Sequence, residues 1–174
     1  MNPARTMKAL TVSAALAVSL LTVHTATATA ADADSCSYYS VSKSDVDLYG
    51  YVGYVELLYS SGCHTAEAHF HVDSSFLADH SGWDVTLWVG NGRSADANSQ
   101  NIVVTTPYPA NTSYSDYWSA PTSIYGKPTE QFLAGVDWDY NACRGDWGSG
   151  WHDFADGFNF NDGGSYDANA GCHV

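Results

Sequence analysis

The feature that most constrains this fold is a two-residue alternation of apolar and polar side chains, which is clearest just after Cys63. The apolar row is Ala66, Ala68, Phe70 and Val72, and the polar row is Thr65, Glu67, His69 and His71. Successive side chains of a β-strand point to opposite faces of the sheet. The pattern therefore predicts a strand with one face on the core and the other toward water.

The same alternation recurs along the chain, and no window shows the sustained 3.6-residue period of an amphipathic helix. Two further inward rows are Trp83, Val85, Leu87 and Val89, and Phe132, Ala134, Val136 and Trp138. Residues 46–59 predict two strands or one strand bent at a glycine bulge, and Asn91 with Gly92 resembles a turn. Residues 106–122 contain three prolines and predict a long surface loop. About seven short strands predict an all-β fold, an antiparallel two-sheet β-sandwich of the immunoglobulin-like type, ahead of a closed barrel.

The first 30 residues combine a basic start, an apolar run over residues 9–23 and a small-residue end, as in a secretory signal peptide. The apolar run is about 15 residues long, which is shorter than the roughly 20 that a permanent membrane helix needs. Cleavage is predicted after Ala30, with Ala33 as the rival position. Residues 31–174 are then one secreted, extracellular domain.

The predicted mature chain is strongly acidic. All nineteen Asp and Glu residues follow residue 30, against four Lys and Arg, so its formal net charge is −15. Such a surface repels phosphate backbones and anionic lipids, which argues against nucleic-acid and membrane partners. The preferred interpretation is that the charge keeps the protein soluble. The more specific alternative is that the acidic surface binds a basic protein partner.

Four cysteines, an even number, follow the predicted cleavage position, and in an exported chain this predicts two disulfides. They are Cys36, Cys63, Cys143 and Cys172. Of the three possible pairings, Cys36 with Cys63 and Cys143 with Cys172 is preferred, because each bond then closes a loop of about 30 residues. The sequence contains no Cys-x-x-Cys motif and therefore does not favour a redox or zinc-ribbon site.

No catalytic set stands out, so no catalytic residue is assigned and the chain is predicted not to be an enzyme. Gly148-Ser149-Gly150 lacks the first glycine of a nucleophile elbow and the helix that should follow it. Among many acids, Glu56, Glu67 and Glu130 are unexceptional candidates for a glycosidase pair.

Two patterns raise the question of metal binding. Glu67, His69 and His71 share one strand face, where a His-x-His pair can bind zinc, and His64 or His80 would supply a further ligand. A plain polar face is the preferred interpretation. The acidic segments 137–139 and 153–167 resemble calcium-binding turns, but their spacing departs from the known calcium loop. No metal or cofactor is therefore predicted.

Many aromatic residues lie in predicted loops beside Ser, Asn and Gly, a composition typical of binding surfaces because rigid rings give contact area at low entropy cost. The predicted binding residues are Tyr108, Tyr114, Tyr117, Trp118, Tyr140, Trp147 and Trp151. Sugar stacking would use the same rings, and core packing would absorb about half of all the aromatics.

Residues 53–60 (GYVELLYS), followed by Cys63 and the strand through His71, are similar to a strand-turn-Cys-strand motif of small exported proteins from filamentous Gram-positive bacteria. With its length, four cysteines and acidic β character, the chain resembles the small connector subunit of secreted umbrella toxin particles. The resemblance implies a non-catalytic adaptor between a lectin-bearing subunit and the spokes of a toxin complex used in competition between bacteria. The family's amino-terminal segment enters a cleft on the lectin-bearing partner, and here residues 31–35 precede Cys36.

Taken together, the sequence predicts a secreted, non-catalytic module that binds another secreted protein. The toxin adaptor, with toxin-complex subunits as partners, is its most specific form. The alternative is a secreted hydrolase or a carbohydrate-binding module that acts on extracellular polymers.

Overall fold

The computed structural model describes residues 36–47, 50–92, 101–109, 111–141, 143–160 and 164–168, which all belong to one compact unit spanning residues 34–174. Within these ranges no helix is long and apolar enough to cross a membrane. In chain order the elements are β1 (Tyr39–Asp47), β2 (Tyr51–Ser60), β3 (Thr65–Val72), α1 (Ser74–Asp79), β4 (Asp84–Gly92), β5 (Asn101–Pro107), β6 (Asp116–Trp118), β7 (Thr122–Ser123), β8 (Gln131–Tyr140), β9 (Cys143–Gly148), β10 (Trp151–Asp153), β11 (Asn159–Phe160) and β12 (Gly164–Ala168).

These described strands form two antiparallel sheets, one of five strands and one of seven. In the first sheet, β1, β2 and β3 are consecutive neighbours, and the short strands β6 and β7 pair with the other edge of β3. The second sheet is built on β4 and β8, with β5 beyond β4, and with β9 and β10 on the far side of β8. The predicted all-β, two-sheet architecture is confirmed.

The core lies between the two sheets, where their inward rows meet. Ala66, Ala68, Phe70 and Val72 of β3 are completely buried, as the alternation predicts. The rows beginning at Trp83 and Phe132 are buried as well and belong to the same cluster. On β3 the outward-facing residues Thr65, Glu67 and His71 are only half-buried, so the outer face of the first sheet remains available for other contacts.

The outer face of the second sheet also carries buried apolar side chains, Trp88 among them. The alternation places Trp88 on a polar face, but its indole is buried with Leu133 and Trp151. The ring lies over Gly135, where an added Cβ would stand 2.0 Å from it. Its Nε1–H donates to Asp137 Oδ1 at 2.7 Å. The indole therefore packs flat against the sheet and satisfies its own polar group.

Two local features differ from the sequence prediction. Helix α1 has six residues, too few to produce a helical period, and begins where the Asp73 side chain accepts from Ser75 N–H. Asn91 and Gly92 form no turn: they end β4 and pair with β8. The Asn91 side-chain amide donates to the Thr129 carbonyl oxygen at 2.8 Å, which fixes the dipeptide within the sheet.

Two contacts fix the amino-terminal strand of this unit. The predicted Cys36–Cys63 disulfide is confirmed, with a Cα–Cα distance of 5.6 Å, and it joins the start of β1 to the turn between β2 and β3. Cys172 lies outside the described residues, so its pairing with Cys143 stays a prediction. On the inner face of β1, the Ser42 hydroxyl lies 2.9 Å from the Ser149 hydroxyl of the second sheet.

Candidate functional site

A polar and aromatic surface covers the outer face of the first sheet. Strand register aligns Lys43 of β1, Glu56 of β2, His69 of β3 and Trp118 of β6 in one row. The adjacent row contains Asp45, Tyr54, His71 and Asp116. The name outer-face cluster is used below for Lys43, Tyr54, Glu56, His69, His71, Asp116 and Trp118. Tyr54 and Glu56 point outward because they alternate along β2 with the buried Val55 and Leu57.

His69 is the centre of the outer-face cluster. Its Nδ1 lies 2.7 Å from Glu56 Oε1 and its Nε2 lies 3.1 Å from Asp116 Oδ1. An ionised carboxylate can only accept hydrogen bonds, so both contacts are hydrogen bonds when both ring nitrogens carry protons. The imidazole is buried, although the prediction placed it in a polar row facing water. The geometry thus clamps the ring between two carboxylates.

Asp116 connects the two histidines, because its Oδ1 also lies 2.8 Å from His71 Nδ1. Ser115 donates to its other carboxylate oxygen at 2.6 Å. Burial opposes ionisation of Asp116, but hydrogen bonds from Ser115, His71 and His69 outweigh it and lower the pKa of this carboxyl. The carboxylate is therefore a stable acceptor that holds both rings in place.

Aromatic rings surround the charged groups. Trp118 stacks on His69 with ring centroids 4.9 Å apart, and Tyr54 stacks on His71 at 5.0 Å. Lys43 Nζ lies 3.2 Å from the centre of the Tyr54 ring, a cation–π contact. Burial first, and then the carboxylates of Glu56 and Asp116, raise the pKa of Tyr54. Its hydroxyl therefore stays protonated at neutral pH.

The backbone of Trp118 is fixed by Tyr108. The Tyr108 hydroxyl donates to the Trp118 carbonyl oxygen at 2.6 Å and accepts from Trp118 N–H at 2.8 Å. The indole itself remains 48% exposed. The Trp118 side chain is therefore exposed, while its backbone is held in place by Tyr108.

The histidines considered as metal ligands in the sequence contact other protein groups instead. Both nitrogens of His69 already face carboxylates, and Glu67 lies next to it on β3 without forming a shared site. His64 and His80 lie in other parts of the fold: His64 contacts tyrosine hydroxyls, and the ring of His80 stacks on Phe76. Among the described residues no group of three or more His, Cys, Asp or Glu side chains is arranged to hold a metal ion.

The other chemical candidates are structural in the described part of the chain. Ser149 is buried, and its hydroxyl bonds to Ser42 and to the Gly150 carbonyl oxygen. Residues 137–139 lie within β8 rather than in a loop, and Asp139 pairs with Arg144 at 2.9 Å. The segment 153–167 is described only in part, so its calcium prediction falls partly outside the described residues.

The seven predicted binding aromatics divide into two groups. The prediction is corrected for Tyr117, Tyr140, Trp147 and Trp151, which lie in strands rather than surface loops and pack against other side chains, so that their rings are buried. Tyr117, for example, accepts the Trp83 Nε1–H at 2.7 Å inside the core. Tyr114 and Trp118 are exposed and Tyr108 is half-buried beside them. The sequence missed Glu56 and Asp116 as the partners of His69.

Glu67 offers a test of the electrostatics next to the outer-face cluster. Burial raises the pKa of its carboxyl, and the nearby His69 only partly offsets this. The folded protein therefore holds the Glu67 proton more tightly than the unfolded chain, so ionisation of Glu67 reduces stability as pH rises. We expect Glu67→Gln to stabilise the protein by about 0.5 kcal/mol at pH 7 and to lose this advantage near pH 3.

Urea unfolding at both pH values measures this difference in the free energy of unfolding. Glu130→Gln is the control, because it removes one negative charge at an exposed position away from the cluster. Equal stabilisation by both variants at pH 7 would attribute the effect to net charge and contradict the local explanation.

Comparison with protein families matches residues 24–121, more than half of the chain, to the family described as "Protein of unknown function (DUF2690)". The matched region extends through β6 and contains every residue of the outer-face cluster. No curated protein and no solved structure matches the chain.

Proposed function

Because this chain belongs to the family described as "Protein of unknown function (DUF2690)", we propose a function from its own residues: a secreted, non-catalytic module that binds another protein. Its contact surface is the outer-face cluster together with Tyr114, which is exposed in the segment leading into β6. Secretion follows from the signal-like first 30 residues, and the extracellular space is the proposed location.

The observation that carries this proposal is that Trp118 is both exposed and held in place. Nearly half of its surface is exposed, while its ring is stacked on buried His69 and its backbone is held by Tyr108. A large ring that is already immobilised loses little entropy on binding. Tryptophan is also the residue most enriched among those that dominate the affinity of protein interfaces. Trp118 is thus the proposed anchor.

The charge of the chain indicates the chemistry of the partner. The predicted mature chain carries a formal net charge of −15. In the outer-face cluster, Glu56 and Asp116 are engaged by His69, whereas Asp45 and Asp47 are exposed on β1 nearby. A partner with a basic surface would be steered toward this face and would pair with the exposed carboxylates.

The most specific form of the proposal is the toxin adaptor. The resemblance to the connector subunit of umbrella toxin particles supplies this version, with toxin-complex subunits as partners. An adaptor needs a stable scaffold and a contact surface but no reactive centre. The outer-face cluster fits that requirement, since its titratable groups bond to one another.

We expect Trp118→Ala to remove the protein from any large secreted assembly. Truncation of an anchor residue costs about 2 kcal/mol of binding free energy, or about 30-fold in affinity. The variant and the wild type, both tagged, are expressed in the natural host, and their elution from size-exclusion columns is compared in unfractionated culture medium.

Ile102→Ala is the matched control, because Ile102 is also 48% exposed but lies on β5 of the second sheet. The control should assemble like the wild type. Elution of the wild type as a single chain would refute the binding function. Unchanged assembly of Trp118→Ala would refute the proposed surface.

A further inference from the structure

A second aromatic surface lies at the end of the sandwich near the disulfide, apart from the outer-face cluster. It consists of Tyr39 on β1, Tyr59 on β2, His64 in the turn after β2 and Tyr125 after β7, and is called the end cluster below. Tyr39 is 52% exposed and Tyr125 is 63% exposed. None of its three tyrosines is among the predicted binding aromatics, and His64 is a candidate in the sequence only as a further metal ligand.

The rings of the end cluster contact one another in a continuous series. Tyr39 and Tyr59 meet edge to face with centroids 5.7 Å apart, and His64 and Tyr125 lie 5.2 Å apart. The Tyr59 and Tyr125 hydroxyls each lie 3.3 Å from His64 Nδ1. These hydroxyls connect the two pairs of rings at a single nitrogen atom.

His64 holds this arrangement through an unusual backbone conformation. Its φ angle is +52°, in the left-handed region that glycine favours and that asparagine, aspartate and histidine adopt more often than other residues. The preceding residue, Cys63, is bonded to Cys36, and the His64 carbonyl oxygen accepts from Ile124 N–H at 3.1 Å. The disulfide and the sheet therefore fix the position of the imidazole.

The hydrogen bonds within the end cluster leave capacity for a ligand. A ring nitrogen has either one proton or one lone pair, so His64 Nδ1 forms one good hydrogen bond at a time. Two hydroxyls share it at 3.3 Å, a long distance, so at least one hydroxyl is free to bond elsewhere. Burial, followed by the neighbouring Tyr125 and Tyr39, raises the pKa of Tyr59, so its hydroxyl remains a donor.

The size and charge of the end cluster define the class of ligand. Two half-exposed tyrosines offer on the order of 200–300 Å² of contact surface. A stable protein interface needs about 800 Å² on each partner. Among the described residues, the hydrogen bonds and ring contacts of these four side chains involve no carboxylate, lysine or arginine, although the chain as a whole is strongly acidic. A small uncharged ligand with apolar faces and a polar rim fits these properties.

We propose that the end cluster binds a neutral glycan, with a pyranose ring stacked on Tyr125 or Tyr39. A pyranose presents a C–H face to an aromatic ring and hydroxyl groups around its edge. The hydroxyls of Tyr59 and Tyr125 and the His64 imidazole supply donors and acceptors for that edge. This second binding site is independent of the protein-binding function proposed above.

The test uses the intact secreted chain and four soluble probes: cellohexaose, chitohexaose, xylohexaose and maltohexaose. Isothermal titration calorimetry should detect binding of at least one probe. Tyr125→Ala should weaken that binding at least tenfold. His64→Asn should do the same, because asparagine tolerates a positive φ while removing the imidazole. Circular dichroism confirms that each variant keeps its β spectrum.

Tyr51→Ala is the matched control. Tyr51 is also an exposed tyrosine, but it lies at the opposite end of β2 from Tyr59, roughly 26 Å away along the strand. The control should bind the glycan like the wild type. The proposal is overturned if no probe binds with a Kd below about 10 mM. It is equally overturned if Tyr51→Ala weakens binding as much as Tyr125→Ala.

Discussion

Gly53→Ala is expected to destabilise the fold by about 3 kcal/mol or more, at the upper end of the effects of single substitutions. A Cβ at this position would stand 1.8 Å from the His71 carbonyl oxygen and 3.0 Å from the Val72 Cα. These are backbone atoms of β3, so no side-chain rotation relieves the contact. The two central strands of the first sheet must separate, and Tyr54 would lose its position over His71.

Gly50→Ala is the matched control for this prediction. Gly50 has a φ of +154° and Gly53 a φ of +157°, so an alanine meets nearly the same backbone cost at both positions. No atom of the described residues lies within 4 Å of a Cβ at Gly50. The difference between the variants in urea unfolding therefore measures the close approach itself. Equal free energies of unfolding would contradict the prediction.

Replacement of both cysteines in the double variant Cys36→Ser/Cys63→Ser is expected to lower the free energy of unfolding by about 3 kcal/mol. The crosslink closes a loop with a sequence separation of 27 residues, and loops of this size contribute about 3–4 kcal/mol through the entropy of the unfolded chain. Cys36 is exposed and Cys63 is half-buried, so the substitution removes little buried volume. The loss then reflects the missing crosslink rather than a cavity.

Thermal unfolding of the oxidised wild type and the double-serine variant measures this effect. Single variants are avoided, because an unpaired thiol can exchange with other disulfides. Hydrogen exchange should quicken most near Tyr38 and His64, the backbone next to the bond. A melting temperature within 1–2 °C of the wild type, roughly the shift expected for 0.3 kcal/mol, would contradict the prediction.

The sequence predicted the class of fold because alternation reports which face each residue occupies. The rows on β3, β4 and β8 followed directly from that rule, and the burial of Phe70 and Trp138 bears it out. The number of strands was underestimated, since β7 has two residues and β6 and β10 have three each, too few to leave a periodic pattern. A helix of six residues escapes detection for the same reason.

The outer-face cluster was only half predictable. His69 and His71 were recognised as a pair on one strand face, but their carboxylate partners come from other strands. Glu56 is 13 residues from His69 in sequence and Asp116 is 47 residues away. Which residues stand opposite each other depends on strand register, which alternation alone does not determine.

The aromatic residues show where composition misleads. Glycine and proline around Tyr117, Trp147 and Trp151 suggested loops, yet these rings belong to short strands that pair with longer ones. Once paired, alternate residues of even a three-residue strand face the core. Tyr117 is buried in this way, and its neighbour Trp118 is exposed.

The contact between Ser42 and Ser149 has a consequence for the order of assembly. The two hydroxyls meet across 107 residues of sequence, and Ser42 also donates to the Gly150 carbonyl oxygen. A ribosome releases β1 long before the segment that receives it. Contacts of such long sequence separation slow folding, because the entropy of closing the intervening chain must be overcome before they stabilise the structure.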